Sequence, residues 1–103
     1  MQIIVVCGAG ASSTFIALRV RRSAASRGLD VTAKAIALDN VDDALADADV
    51  LLLGAHLAES ASHLERTAKK AGTALAVMPE SVFTAPTGDD ALDLALTAAG
   101  ANP

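Results

Sequence analysis

Residues 2–14 read Gln-Ile-Ile-Val-Val-Cys-Gly-Ala-Gly-Ala-Ser-Ser-Thr, and this stretch decides the fold. Its first part is a short β-branched run that ends at Cys7, which is the pattern of a buried strand. A glycine- and serine-rich loop follows, and a helical pattern begins near Ser12 or Ser13. Apolar residues then recur at helical spacing as far as Gly28, a natural helix stop. The stretch therefore predicts a strand, a tight loop and a helix in succession.

Strand and helix patterns go on alternating along the rest of the chain. Further strands are predicted over 30–37, 49–54 and 73–78, and further helices from Asp39 or Asn40 through Leu45, over 57–71 and from about Asp89 to Ala99. This alternation requires parallel strands joined by right-handed crossovers. We predict an α/β fold of three layers, with an open four-stranded parallel sheet of order 2-1-3-4 and helices on both faces. Residues 1–103 form a single domain, with 100–103 as a loose tail.

An open parallel sheet binds ligands at the carboxyl ends of its strands. Residues 7–13, 54–56 and 79–88 are predicted to meet at that edge. Gly8 and Gly10 allow backbone angles that turn successive N–H groups inward, which forms a concave anion-binding nest. The helix N-terminus adds unsatisfied N–H groups and the positive end of its dipole. The loop is therefore a predicted phosphate site.

Cys7 is the candidate nucleophile of this loop. The field that attracts an anion also favours the thiolate, which is the reactive form of cysteine near neutral pH. The hydroxyls of Ser12, Ser13 and Thr14 are available to cap the helix or to contact phosphate oxygens. Other interpretations remain open, because free cysteine is often a buried core residue. A dinucleotide fingerprint fits poorly, since Ser13 stands where the third glycine would be, and no Walker-type Gly-Lys-Ser/Thr occurs.

Composition excludes several classes of function. With a net charge of −4, no Trp or Tyr and only two Phe, the 103 residues offer neither a basic nor a base-stacking surface for nucleic acid. A single cysteine excludes an intramolecular disulfide and a multi-cysteine metal site. His56 and His63 lie seven apart without a third ligand, so we expect no metal. Without a signal-like start or an apolar run of about 18 residues, we expect a cytoplasmic domain with no direct membrane insertion.

Residues 7–14 resemble the Cys-x-Ala-Gly-x-Ser-[Ser/Thr] loop of the lactose/cellobiose-type enzyme IIB of the bacterial sugar phosphotransferase system. Residues 48–54, Ala-Asp-Val-Leu-Leu-Leu-Gly, are similar to the "ADVVLLGPQ" strand of that family. Residues 76–92 resemble its fourth strand, loop and last helix in length. The resemblance covers nearly the whole chain and implies a fold of the flavodoxin-like or low-molecular-weight phosphatase-like kind.

The resemblance also implies a role as a phosphocarrier without a cofactor. Cys7 would accept a phosphoryl group from a phosphohistidine on a IIA protein and pass it to a sugar bound by a IIC membrane permease. The implied phosphate-binding residues are Gly8, Ala9, Gly10, Ala11, Ser12, Ser13 and Thr14.

This chain departs from the family pattern at two places on the rim of the site. Ala55-His56 stands where the family usually has Pro-Gln, and Phe83-Thr84 stands where a Tyr-Gly pair is common. We interpret His56, Phe83 and Thr84 as rim or partner-docking residues. The sequence does not identify which sugar is transported. Arg19, Arg21, Arg22 and Arg27 have the pattern of a solvated helix face, although Arg19 or Arg22 could dock an acidic partner surface.

Two alternatives share the fold and the cysteine. Low-molecular-weight tyrosine phosphatases and related arsenate reductases look similar, but the phosphatases need Cys-x5-Arg, and Ser13 occupies that position here. The chain also lacks the late Asp-Pro that commonly supplies their general acid. A domain that senses phosphorylation without transporting sugar would keep Cys7, and the sequence does not separate it from a carrier.

Overall fold

The computed structural model has a sheet of four parallel strands in the order β2-β1-β3-β4, as predicted. The structure describes residues 1–6, 10–36, 44–45, 47–54, 61–84 and 87–100. The strands are β1 (Gln2–Val6), β2 (Thr32–Ala35), β3 (Val50–Gly54) and β4 (Ala74–Met78). The helices are α1 (Gly10–Ser26), α2 (Ala61–Ala71), α3 (Ser81–Thr84) and α4 (Asp89–Ala98).

Alternate residues of β1 enter two separate hydrophobic clusters, one on each face of the sheet. Ile3 and Val5 join a cluster with buried side chains of α1 and α4. Ile4 and Val6 join a second cluster, which includes Leu45 and α2. Successive strand side chains point to opposite faces, so a strand covered on both sides must be apolar throughout. The three-layer prediction is confirmed, with α1 and α4 on one face and α2 on the other.

Several predicted boundaries move in the structure. The second strand, predicted over 30–37, spans only Thr32–Ala35, because it is an edge strand that pairs with β1 alone. The first helix begins at Gly10 and not near Ser12. Glycine is tolerated there because the N–H groups of the first turn make no intrahelical hydrogen bonds. Of the short helix through Leu45, only residues 44–45 are described, and both are helical. The start of the predicted 57–71 helix lies outside the described residues.

Helix α1 ends where the sequence predicted. Gly28 has a φ of +70°, a left-handed conformation that side chains with a Cβ rarely adopt. The N–H of Leu29 donates to the carbonyl of Ala24 at 2.9 Å and closes the helix end. The chain can then turn directly into β2.

Gly88 brings α4 into direct contact with the backbone of α1. A Cβ built on Gly88 would lie 2.5 Å from the Arg19 carbonyl oxygen and 2.5 Å from the Val20 nitrogen. Both are backbone atoms and cannot rotate away. At the same residue the Gly88 carbonyl accepts the first bond of α4, from the Leu92 N–H at 2.8 Å. A side chain at this position would separate the two helices.

We expect Gly88→Ala to lower the free energy of unfolding by about 2–3 kcal/mol, because overpacking against fixed backbone forces the helices apart. Urea titration followed by circular dichroism measures this. Asp90→Ala, at an exposed position two residues further on, is the control and should cost no more than about 1 kcal/mol. Equal stabilities for Gly88→Ala and the wild type would contradict the close approach.

Candidate functional site

The central strand of the sheet leads directly into the predicted nucleophile. β1 lies between β2 and β3, and its last residue, Val6, is fully buried. Cys7 is the next residue, and α1 begins at Gly10. Residues 7–9, with the predicted Cys7, Gly8 and Ala9, lie outside the described residues. Three residues therefore connect the carboxyl end of a buried strand to the N-terminus of a helix.

The N-terminus of α1 has the features of an anion site. The helix is 17 residues long, and its first four N–H groups, from Gly10 to Ser13, have no partner within an α-helix. No acidic side chain occurs in its first turn, so α1 itself places no carboxylate at the positive end of its dipole. The side chains of Ala11, Ser12 and Ser13 lie outside the described residues, and Thr14 follows as an exposed residue.

The other predicted site segments follow strands that end at the same edge. Val6 is in register with Leu53, and Gly54 is in register with Met78 at the end of β4. Residues 55–60, including His56, lie outside the described residues. α3 follows β4 after two residues, and it was not predicted from the sequence because a four-residue helix leaves too short a periodic pattern.

The predicted rim residues Phe83 and Thr84 are part of α3. Val82 of the same helix is buried in the cluster that contains α1 side chains. This places the backbone of both residues beside α1. Their side chains lie outside the described residues, so their role at the rim stays a prediction.

A charged network connects the end of α1 to α4, and no sequence pattern predicted it. Arg27 donates to the Asp93 carboxylate at 2.6 Å and pairs with Asp89 at 3.3 Å. These partners raise the pKa of Arg27, chiefly through the hydrogen bond that Arg27 donates to Asp93. A hydrogen bond with Ser23, followed by the nearby Arg27 charge and Thr87, lowers the pKa of Asp89. Arg27 is exposed, as predicted for a solvated face, and it also forms a surface contact between the end of α1 and α4.

Comparison with known proteins places this chain in a family. Residues 2–93 match the family model described as "PTS system, Lactose/Cellobiose specific IIB subunit". The chain belongs to the lactose/cellobiose-specific IIB subunits. A phosphotransferase role in general follows from this membership, and such subunits generally partner with IIA and IIC components. The match includes the whole of the 7–14 loop.

Solved structures agree with the fold of this IIB subunit. The lactose-specific IIB component domain of the phosphoenolpyruvate:carbohydrate phosphotransferase system from Streptococcus pneumoniae is similar with a TM-score of 0.85 and 16% identity, covering 95% of this chain and 96% of that one. The cellobiose-specific phosphotransferase IIB component of Borrelia burgdorferi is similar with a TM-score of 0.77 and 28% identity, covering 97% and 92%. A comparison with curated proteins found no match. Within the part of the chain that the structure describes, no helix is long and apolar enough to cross a membrane.

We expect the pKa of Asp89 in this IIB subunit to lie below its ordinary value of 3.8, and Ser23→Ala to raise it. Because the folded pKa is depressed, the network stabilises the fold above pH 3.8 and loses that effect as the pH falls through the lower, folded value. An NMR titration of the Asp89 carboxyl carbon in both proteins measures the two pKa values. A wild-type pKa at or above 3.8, or no rise in Ser23→Ala, would contradict the network.

Proposed function

We propose that this IIB subunit carries a phosphoryl group on Cys7, taking it from a phosphohistidine of a IIA protein and giving it to a sugar bound by a IIC permease. The observation that supports this most directly is the short connection between β1 and α1. A nucleophile three residues before a helix whose first turn has no acidic residue would lie where N–H groups and the dipole favour both a thiolate and a bound phosphate. The proposal also implies that the protein is cytoplasmic, because phosphoenolpyruvate is produced in the cytoplasm.

The chemistry of each transfer balances without a cofactor. In the first, the Cys7 Sγ thiolate attacks phosphorus, an S–P bond forms, and the N–P bond to the donor histidine breaks. In the second, a sugar hydroxyl oxygen attacks phosphorus as the S–P bond breaks and the thiolate is restored. N–H groups of residues 8–14 would hold the equatorial oxygens, where negative charge spreads in the transition state.

Hydrolysis fits this chain less well than transfer. A phosphatase of similar fold clamps its phosphate with an arginine six residues after the cysteine, and Ser13 occupies that position here. The first arginine after Cys7 is Arg19, in the middle of α1. Without a clamp or a positioned general acid, water attacks the phosphocysteine slowly. A carrier benefits from that, because the intermediate must last until the next partner binds.

Intact mass measurement tests the proposal. The protein is incubated with phosphoenolpyruvate, the general phosphotransfer proteins and a lactose/cellobiose-type IIA protein, with Cys7→Ser run beside the wild type. We expect the wild type to gain one phosphoryl group and the variant to gain none, because cysteine is the only residue exchanged. Later addition of permease-containing vesicles and sugar should remove the group, whereas a sensing domain would retain it.

Two results would contradict the carrier. One is a wild type that gains no phosphoryl group from IIA proteins which do phosphorylate a IIB domain of known activity. The other is equal phosphorylation of Cys7→Ser. Release of phosphate from an aryl phosphate by the wild type, and not by Cys7→Ser, would indicate a phosphatase in its place.

A further inference from the structure

We propose that one face of α1, formed by Phe15, Arg19 and Arg22, is the docking surface for the phosphorylated IIA donor and not for the membrane permease. The inference rests on the proposed function and names the partner that this surface receives. The three residues are spaced i, i+4 and i+7, so they form one stripe along the helix. We call this stripe the α1 face.

Phe15 gives the α1 face an apolar centre. It is 60% exposed, the largest value among the big apolar side chains of the described residues. The neighbouring Ile16 and Ala17 turn inward and are buried, so Phe15 is not needed for the core of the sheet. An exposed aromatic ring beside a reactive loop is typical of an interface anchor, because it contributes a large apolar area with few rotatable bonds.

The two arginines give the same face a positive charge on a chain whose net charge is −4. Arg22 is exposed and Arg19 is half-buried. Both line a surface cavity of about 410 Å³ between α1 and the start of α4. Asp89 also lines this cavity and is paired with Arg27. The α1 face therefore offers an apolar contact, a recess and a positive rim in one place.

Charge decides which partner fits the α1 face. A IIA donor must bring a phosphohistidine, and with it extra negative charge, up to Cys7. The cytoplasmic loops of membrane proteins carry an excess of Lys and Arg, which two arginines would repel. Complementary charge accelerates encounter, and like charge suppresses the wrong partner. A positive surface on the helix that follows Cys7 in sequence therefore suits the donor, and the acidic remainder of the chain suits the permease.

The α1 face also begins close to the N-terminus of α1. At a rise of about 1.5 Å per residue, Phe15 is roughly 8 Å and Arg22 roughly 18 Å along the helix from its start at Gly10. A standard interface covers about 800 Å² on each partner, a patch wide enough to include the loop and the whole stripe. A single docked protein could therefore contact the α1 face while its phosphohistidine meets Cys7.

The test compares Arg22→Glu and Phe15→Ala with the wild type and with Arg21→Glu. Arg21 is an exposed arginine on the same helix, about 100° around the axis from Arg22, and its substitution changes the charge equally. Transfer from a phosphorylated lactose/cellobiose-type IIA protein is followed by rapid quench, which gives the second-order rate constant. Circular dichroism and urea midpoints confirm that the exposed substitutions leave the fold intact.

We expect Arg22→Glu and Phe15→Ala each to lower this rate constant roughly tenfold, with Arg21→Glu within about twofold of the wild type. The Arg22→Glu effect should shrink in about 1 M salt, where charges are screened within about 3 Å. Passage of the phosphoryl group to sugar in permease vesicles should not slow in Arg22→Glu.

Three kinds of result would contradict the proposal, and each one identifies which claim is wrong. If the wild type is phosphorylated and Arg22→Glu and Phe15→Ala react at its rate, the docking surface is wrong while the carrier function stands. If Arg22→Glu slows donor and permease steps equally, or Arg21→Glu slows transfer as much as Arg22→Glu, the assignment of the α1 face to the donor is wrong. If the wild type itself accepts no phosphoryl group, the proposed function fails.

Discussion

The pairing of β1 on both sides is the constraint on which the rest of the structure depends. β1 is hydrogen-bonded to β2 on one edge and to β3 on the other, and Ile3 to Val6 are all buried. A strand in this position cannot shift by one residue without moving each side chain to the opposite core. The place of Val6 at the carboxyl end of β1 is therefore fixed. In the sequence, the residue that follows Val6 is the only cysteine.

Helix α1 provides the electrostatic environment that the proposed function requires. Its buried face, with Ile16, Ala17 and Val20, packs on the same side of the sheet as α4 and fixes the direction of the helix axis. Small residues permit the close approach, and Gly88 brings α4 against the α1 backbone. The Arg27 network then joins the far end of α1 to α4. These contacts fix the position of α1, whose N-terminus carries the positive end of the helix dipole.

Much of the fold could be predicted because its signals are local and strong. The apolar β-branched run before Cys7 predicted a buried strand, and β1 is one. The alternation of strands with helices predicted a parallel sheet of order 2-1-3-4, which the structure has. The predicted helix and strand boundaries were less accurate. At the start of α1, for example, Gly10 is a weak helix former, yet it begins the helix because its N–H needs no intrahelical hydrogen bond.

The contacts between distant segments could not be predicted in the same way. Arg27 and Asp93 are 66 residues apart, and no local pattern indicates that they meet. Gly88 has the sequence signature of a turn, and its contact with Arg19 and Val20 depends on how two helices cross. Cys7 lies outside the described residues, so its place in the site stays a prediction from the neighbouring sequence, and its role stays what the family resemblance implies. Its environment depends on tertiary structure, which a single sequence does not show.

The measurement that tests the central claim most directly is the pKa of the Cys7 thiol. Because the chain has one cysteine, the rate of alkylation by iodoacetamide as a function of pH reports this group alone. If the strand end and the helix N-terminus activate the thiol, the folded protein should show an apparent pKa below the ordinary value of about 8.5. The same protein unfolded in guanidinium chloride should return to about 8.5. A folded-state pKa equal to or above that of the unfolded chain would mean a buried, inert cysteine and would contradict the account.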